Sequence, residues 1–115
     1  MLNLKRVLTA ICGNIIPKII TLTPSSGADI VINGCYQVGK LVVMNVRLNV
    51  TSQFAAGSTI LTGLPLPAST NPNAYVGVYD HTGGTNIIVS ALGGIITYNT
   101  MSTGTHTLNA TYICR

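Results

Sequence analysis

The clearest pattern in the chain is a period-two alternation over residues 41–51. Val42, Met44, Val46, Leu48 and Val50 fall on one side, and Asn45, Arg47, Asn49 and Thr51 on the other. A period of two over this length predicts a strand with one face in the core. The alternation returns over residues 106–114, with Leu108, Ala110, Tyr112 and Cys114 inward and Thr107, Asn109 and Thr111 outward. Shorter β-branched runs occupy residues 18–23, 29–33, 36–38, 59–62 and 95–98, separated by Gly, Pro, Ser and Asn clusters that break strands. Residues 75–79 and 85–91 flank Asp80-His81-Thr82-Gly83-Gly84 and predict a hairpin. Gly39-Lys40, Gly93-Gly94 and residues 99–104 read as turns, and residues 52–58 and 69–73 as loops. About eight short strands with frequent turns predict an all-β fold, a jelly-roll-like antiparallel β-sandwich.

The first residues follow a different period. Leu4, Val7, Leu8 and Ile11 recur at three- and four-residue spacing, which predicts a short N-terminal helix over residues 2–12, ended by Gly13-Asn14. The expected organisation is an assembly segment at residues 1–16 and one β-sandwich head at residues 17–115. The Lys5-Arg6 pair before an apolar run imitates a signal peptide. The run is broken by Gly13, Asn14, Pro17 and Lys18, no A-x-A site follows, and Ile11 stands before Cys12 where a lipoprotein signal needs a small residue. No stretch approaches the ~20 apolar residues of a membrane span. The expectation is therefore no secretion and no membrane insertion.

Composition sharpens the picture. Of the 115 residues, 47% are hydrophobic and only 7% are charged, against about 25% charged in ordinary domains. Six basic and two acidic residues are too few to keep the whole surface of a monomer hydrated and free of apolar patches. A homo-oligomer is expected on this ground. The net charge of +4 comes from scarce acids rather than from a basic cluster, so no nucleic-acid partner is expected. Cys12, Cys35 and Cys114 are odd in number and lack metal-ligand spacing, which predicts three free thiols in a reducing compartment.

Candidate chemistry is sparse. Asp80-His81 is the most site-like pair, but adjacent residues do not make a catalytic triad, and neither GxSxG nor HExxH occurs. A metal site from Asp80, His81 and His106, or one His per subunit on a three-fold axis, is conceivable chemistry that the sequence does not place; no metal and no cofactor are expected. Gly83-Gly84 and Gly93-Gly94 lack phosphate-binding spacing. Asn49-Val50-Thr51 and Asn109-Ala110-Thr111 are chance glycosylation triplets in a chain rich in Thr and Asn. Tyr75, Tyr79 and Tyr98 gather near loops, as core or interface tyrosines or as an aromatic platform. Tyr79, Asp80, His81 and Asn86 together offer an aromatic face, a carboxylate and an amide, the groups a saccharide site uses; they are the candidate ligand-binding residues.

Two stretches carry a resemblance. Gly34-Cys35-Tyr36-Gln37-Val38-Gly39-Lys40-Leu41-Val42-Val43-Met44-Asn45-Val46 resembles a segment of phage tail-fibre and receptor-binding proteins in which a Tyr-x-x-Gly-Lys turn opens a long strand. Ile60-Leu61-Thr62-Gly63-Leu64-Pro65-Leu66-Pro67 is similar to the Gly-Leu-Pro-x-Pro turn that follows it, and residues 104–113 resemble the closing strand of the same heads. The likeness spans residues 30–115. It implies a non-enzymatic phage or prophage fibre head, homotrimeric, made in the bacterial host cytoplasm and carried on the virion at a fibre or tail tip. It further implies contact with other tail or fibre proteins and attachment to a host-surface saccharide or protein, the saccharide being the leading expectation, with no binding-residue motif to carry over. The short N-terminus departs from full-length fibres, which have long shafts. Two alternatives share these features: a structural fibre or decoration protein without ligand, and a small secreted carbohydrate-active protein. The last would need paired carboxylates, and the only acids are Asp29 and Asp80.

Overall fold

A computed structural model describes residues 16–68, 76–82 and 85–115. Among these residues the chain is all-β, with ten strands: β1 Lys18–Ile19, β2 Thr23–Pro24, β3 Ala28–Asn33, β4 Tyr36–Val38, β5 Leu41–Val50, β6 Thr59–Thr62, β7 Val76–Asp80, β8 Ile87–Val89, β9 Ile95–Thr97 and β10 Gly104–Ile113. The expected helix over residues 2–12, Cys12, the loop at residues 69–73, Tyr75 and Gly83-Gly84 lie outside the described residues.

Every strand pairing is antiparallel. The strands form one curled ladder in the order β1-β4-β5-β10-β7-β8-β9-β6-β2, with β3 alongside β5. The two long alternating strands lie at its centre, with Val46 opposite Leu108 and Val42 opposite Tyr112. Their inward residues Val42, Met44, Val46, Leu48, Val50, Leu108 and Tyr112 are buried, as the alternation requires. Ala110 is half-buried against them. From the other limb of the curl, Ile60, Leu61, Val78, Ile87, Val89 and Ile95 complete the core. Each such side chain contributes about 1.5–3 kcal/mol when removed from water.

Residues 18–23 depart from the single strand that their β-branched run predicts. The segment pairs with β4 at one edge of the ladder as β1, and with β6 at the opposite edge as β2. Between them Ile20 and Leu22 turn into the core, and the Ile20 amide donates to the Cys35 carbonyl. One short segment thereby stitches both edges of the curled sheet, and pairing is the strongest protection an edge can have in a chain with few charges to blunt it. The stitch is tight. A Cβ on Gly63 would sit 2.6 Å from the Thr21 carbonyl oxygen, and Gly63 has φ +107°, where only glycine is at ease. The Gly-Leu-Pro turn thus exists to let the backbone pass under the stitching segment.

Both ends of the curl are plugged. At one end Phe54 and Met101 exchange backbone hydrogen bonds and are buried. At the other, the Tyr112 hydroxyl donates to the Pro65 carbonyl at 2.7 Å, and Pro67 bridges Cys114. Cys35 and Cys114 are free thiols and buried.

Candidate functional site

Strand alternation decides which of the candidate ligand residues reach solvent. In β7, Tyr79 points outward while Asp80 points into the core. His81, two residues beyond Tyr79, points outward again, and its ring meets Tyr79 edge-on at 4.4 Å between centroids and 87° between planes. The His81 amide donates to the Thr107 carbonyl, which holds the pair beside β10.

Cross-strand register then builds a row. Asn45 of β5 lies opposite Asn109 of β10, and Asn109 lies opposite Tyr79. The β7–β8 register, run one residue past Val78 and Ile87, sets Asn86 across from Tyr79. Tyr98 donates its amide to the Asn86 carbonyl and continues the row. The outer surface of the curl therefore reads Asn45, Asn109, Tyr79, Asn86, Tyr98, with Tyr79 64% and Tyr98 41% exposed. The neighbouring row holds Arg47 opposite Thr107, beside His81. Of the four candidates, Tyr79, His81 and Asn86 share this outer surface, and Asp80 does not. Asn45 and Asn109 were legible as outward residues; only the register shows that they adjoin Tyr79.

Asp80 is instead the partner of His106. Its Oδ2 lies 2.8 Å from His106 Nδ1, and its Oδ1 accepts the Thr82 amide at 3.0 Å. The His106 Nε2–H donates to the Ser102 carbonyl at 2.8 Å, an atom that can only accept. Both side chains are essentially out of water, at 2% and 0% exposure. The pair ties β7, β10 and the turn before β10 together from inside. Out of water on both sides, it is placed to hold these elements together. His81 and His106 lie on opposite sides of the sheet, and among the described residues no three His, Cys, Asp or Glu side chains converge as metal ligands.

A cleft of about 440 Å³ opens beside the stitch, between Lys18 and Ile20 on one side and Gly63 to Pro65 on the other. Gln37 lines it, but its amide nitrogen already donates to the Gly39 carbonyl and the Cys114 sulfur. Among the described residues, Lys18 is the one charged side chain on the cleft wall.

Two buried acids near the Tyr112 end of the curl respond to burial. Desolvation pushes the Cys35 thiol up from about 9, opposed by a hydrogen bond from the Asn45 backbone. Desolvation also pushes the Tyr112 phenol up, helped by the charges that Cys114 and Cys35 would carry if ionised. A raised folded-state value means that the neutral form is favoured on folding. That contribution is complete below about pH 9 and is lost as pH rises through the folded-state values. The urea midpoint should therefore fall progressively above about pH 9, and the Tyr112 phenol should ionise at higher pH in folded protein than in the urea-unfolded chain, followed by ultraviolet absorbance with Tyr112→Phe as the reference. Ionisation of Tyr112 at the same pH in both states contradicts the packing around it.

Comparison with known protein families and with curated proteins finds no match for this chain.

Proposed function

We propose that the chain is the head domain of a phage or prophage fibre. In this reading it is a non-enzymatic, jelly-roll-like β-sandwich that assembles as a homotrimer at the virion's fibre or tail tip. It sits there with other tail or fibre proteins and attaches to a saccharide on the host surface. The observation that carries attachment is the outward row of amides and phenols around Tyr79. An exposed aromatic ring accepts the apolar C–H face of a sugar, and flanking amides donate and accept hydrogen bonds at its hydroxyls. His81 stands edge-on to Tyr79 and adds a polar ring beside the phenol. The seat of Asp80 and His106 inside the core supports a non-enzymatic role, because it removes one of only two acids from any exposed site.

A glycan-array screen of bacterial surface saccharides tests this. Saturable binding is expected, and Tyr79→Ala should weaken it at least tenfold while leaving the far-ultraviolet spectrum unchanged, since tyrosine anchors carry a large share of contact energy. Binding that is untouched by Tyr79→Ala would move the site elsewhere, and an array with no binder would favour a structural fibre protein.

A further inference from the structure

The stitching segment is gripped at one residue between its two short strands. Ile20 donates its amide to the Cys35 carbonyl at 3.1 Å, and its own carbonyl accepts Nδ2 of Asn33 at 2.8 Å. Asn33 Oδ1 accepts the Cys35 amide at 3.0 Å. Residues 33–35 thus clasp the Ile20 backbone on both sides. The Asn33 side chain donates and accepts at once, which an ionised carboxylate does not do. Gly34 is required for space. Its amide donates to the Asn45 carbonyl at 2.7 Å, and a Cβ there would meet that same oxygen at 2.8 Å. The clasp therefore calls for Asn followed by Gly, and Asn33 is the only asparagine in the chain that a glycine follows.

Asn-Gly is also the dipeptide most prone to lose its side-chain amide, because no Cβ shields the glycine nitrogen. That nitrogen attacks the asparagine Cγ. The N–Cγ bond forms, the Cγ–Nδ2 bond breaks, and Nδ2 leaves as ammonia with the proton from the glycine nitrogen. Water then opens the cyclic imide to aspartate or isoaspartate, and nothing is oxidised or reduced. In the folded chain every atom of this step is engaged: the Gly34 N–H with Asn45, Nδ2 with Ile20, and Oδ1 with the Cys35 amide.

We propose that Asn33 is a deamidation site, blocked while the stitch is closed, whose modification keeps the stitch from closing again. Water is the co-reactant. Aspartate puts a carboxylate oxygen where Nδ2 donated, facing the Ile20 carbonyl. Isoaspartate lengthens the main chain by one carbon, beside the β3–β5 irregularity between Ile30 and Ile32. Opening of the stitch is reversible while the amide lasts and irreversible after its loss. The cations on the elements that meet here are Lys18 of β1 and Arg47 of β5, which pairs with Ile32. The other titratable group is Cys35, kept neutral by burial. The cations attract a carboxylate at position 33 but do not restore its bond to Ile20. The site is separate from the Tyr79 row, and saccharide binding does not bear on it.

Peptide mapping by mass spectrometry tests the proposal on the full chain, incubated at mildly alkaline pH in buffer and in denaturing guanidinium. Position 33 should lose its amide at least about tenfold more slowly in the folded chain, where only the fraction with an open stitch reacts. After the denaturant is diluted, unmodified chains should refold, and chains modified at position 33 should not regain the wild-type urea midpoint. Asn33→Asp reproduces one product. Its unfolding equilibrium constant near neutral pH should exceed the wild type's at least about tenfold, the effect of an unsatisfied acceptor. The deficit should shrink as pH falls through about 4, where the carboxyl regains a proton to donate to Ile20. Measurement in about 1 M salt screens Lys18 and Arg47. Asn99→Asp, at an exposed residue before β10, should match the wild type. Equal rates in folded and unfolded chains overturn the proposal. So does wild-type stability of the modified chain or of Asn33→Asp, and so does a deficit that acid leaves unchanged. If Asn33→Asp does not fold, the rate comparison and the refolding of modified wild-type chains decide, since neither needs a variant.

Discussion

Val46→Asp should yield no soluble folded protein. Val46 is fully buried at the centre of β5, opposite Leu108 on β10 and Asn33 on β3. A carboxylate there has no partner and no water, at a cost of several kcal/mol. The valine's own burial, about 1.5–3 kcal/mol, is lost as well. Together these reach the whole stability of a typical domain, about 5–15 kcal/mol. The control is one residue away. Asn45→Asp points outward and should stay within about 0.5 kcal/mol of the wild type in a urea titration. Wild-type yield from Val46→Asp, or an equal loss from Asn45→Asp, would invalidate the assignment of faces.

Removing either member of the Asp80–His106 pair should cost about 3–5 kcal/mol, because the survivor is left as a buried group without its partner. Asp80→Ala also deprives the Thr82 amide of its acceptor, and His106→Ala frees the Ser102 carbonyl. The double variant Asp80→Leu with His106→Leu should lose much less than the sum of the singles, since apolar replacement of both partners removes the desolvation penalty. Chemical denaturation of the four proteins measures this coupling. Single losses below about 1 kcal/mol, or strict additivity, would show that the pair does not clamp β7 to β10. Loss of saccharide binding without loss of stability in His106→Ala would also be unexpected, because the ring does not reach the outer surface.

The long strands were legible because alternation is a local property. Whichever way β5 and β10 pair, residues two apart share a face, so Val42 to Val50 and Leu108 to Tyr112 had to line a core together. The hairpin at β7 and β8 was legible for the same reason, since two β-branched runs around a short polar loop have one compact solution. The lysine-to-threonine run at residues 18–23 was not. Its composition says strand, but whether a strand pairs along its length or crosses from one edge to another depends on where the edges lie, and no local pattern records that. The candidate site was half legible. Tyr79, His81 and Asn86 were identified by residue type, and alternation by itself turns Asp80 away from Tyr79 and His81.

The sequence by itself determined the β character of the described residues, the inward faces of the two central strands, most of the turns between them, and the shortage of charge, because each follows from neighbours in the chain or from counting. Only the tertiary structure decided that Asp80 belongs to His106, 26 residues distant. Nor could the chain order show that Asn45, Asn109 and Tyr79 form one row. The physical reason is register. Adjacent strands fix which residues stand side by side to within one position, and a slip of one residue would exchange every outward side chain for an inward one. That choice is made by the packing of the whole core around residues such as Val46 and Leu108.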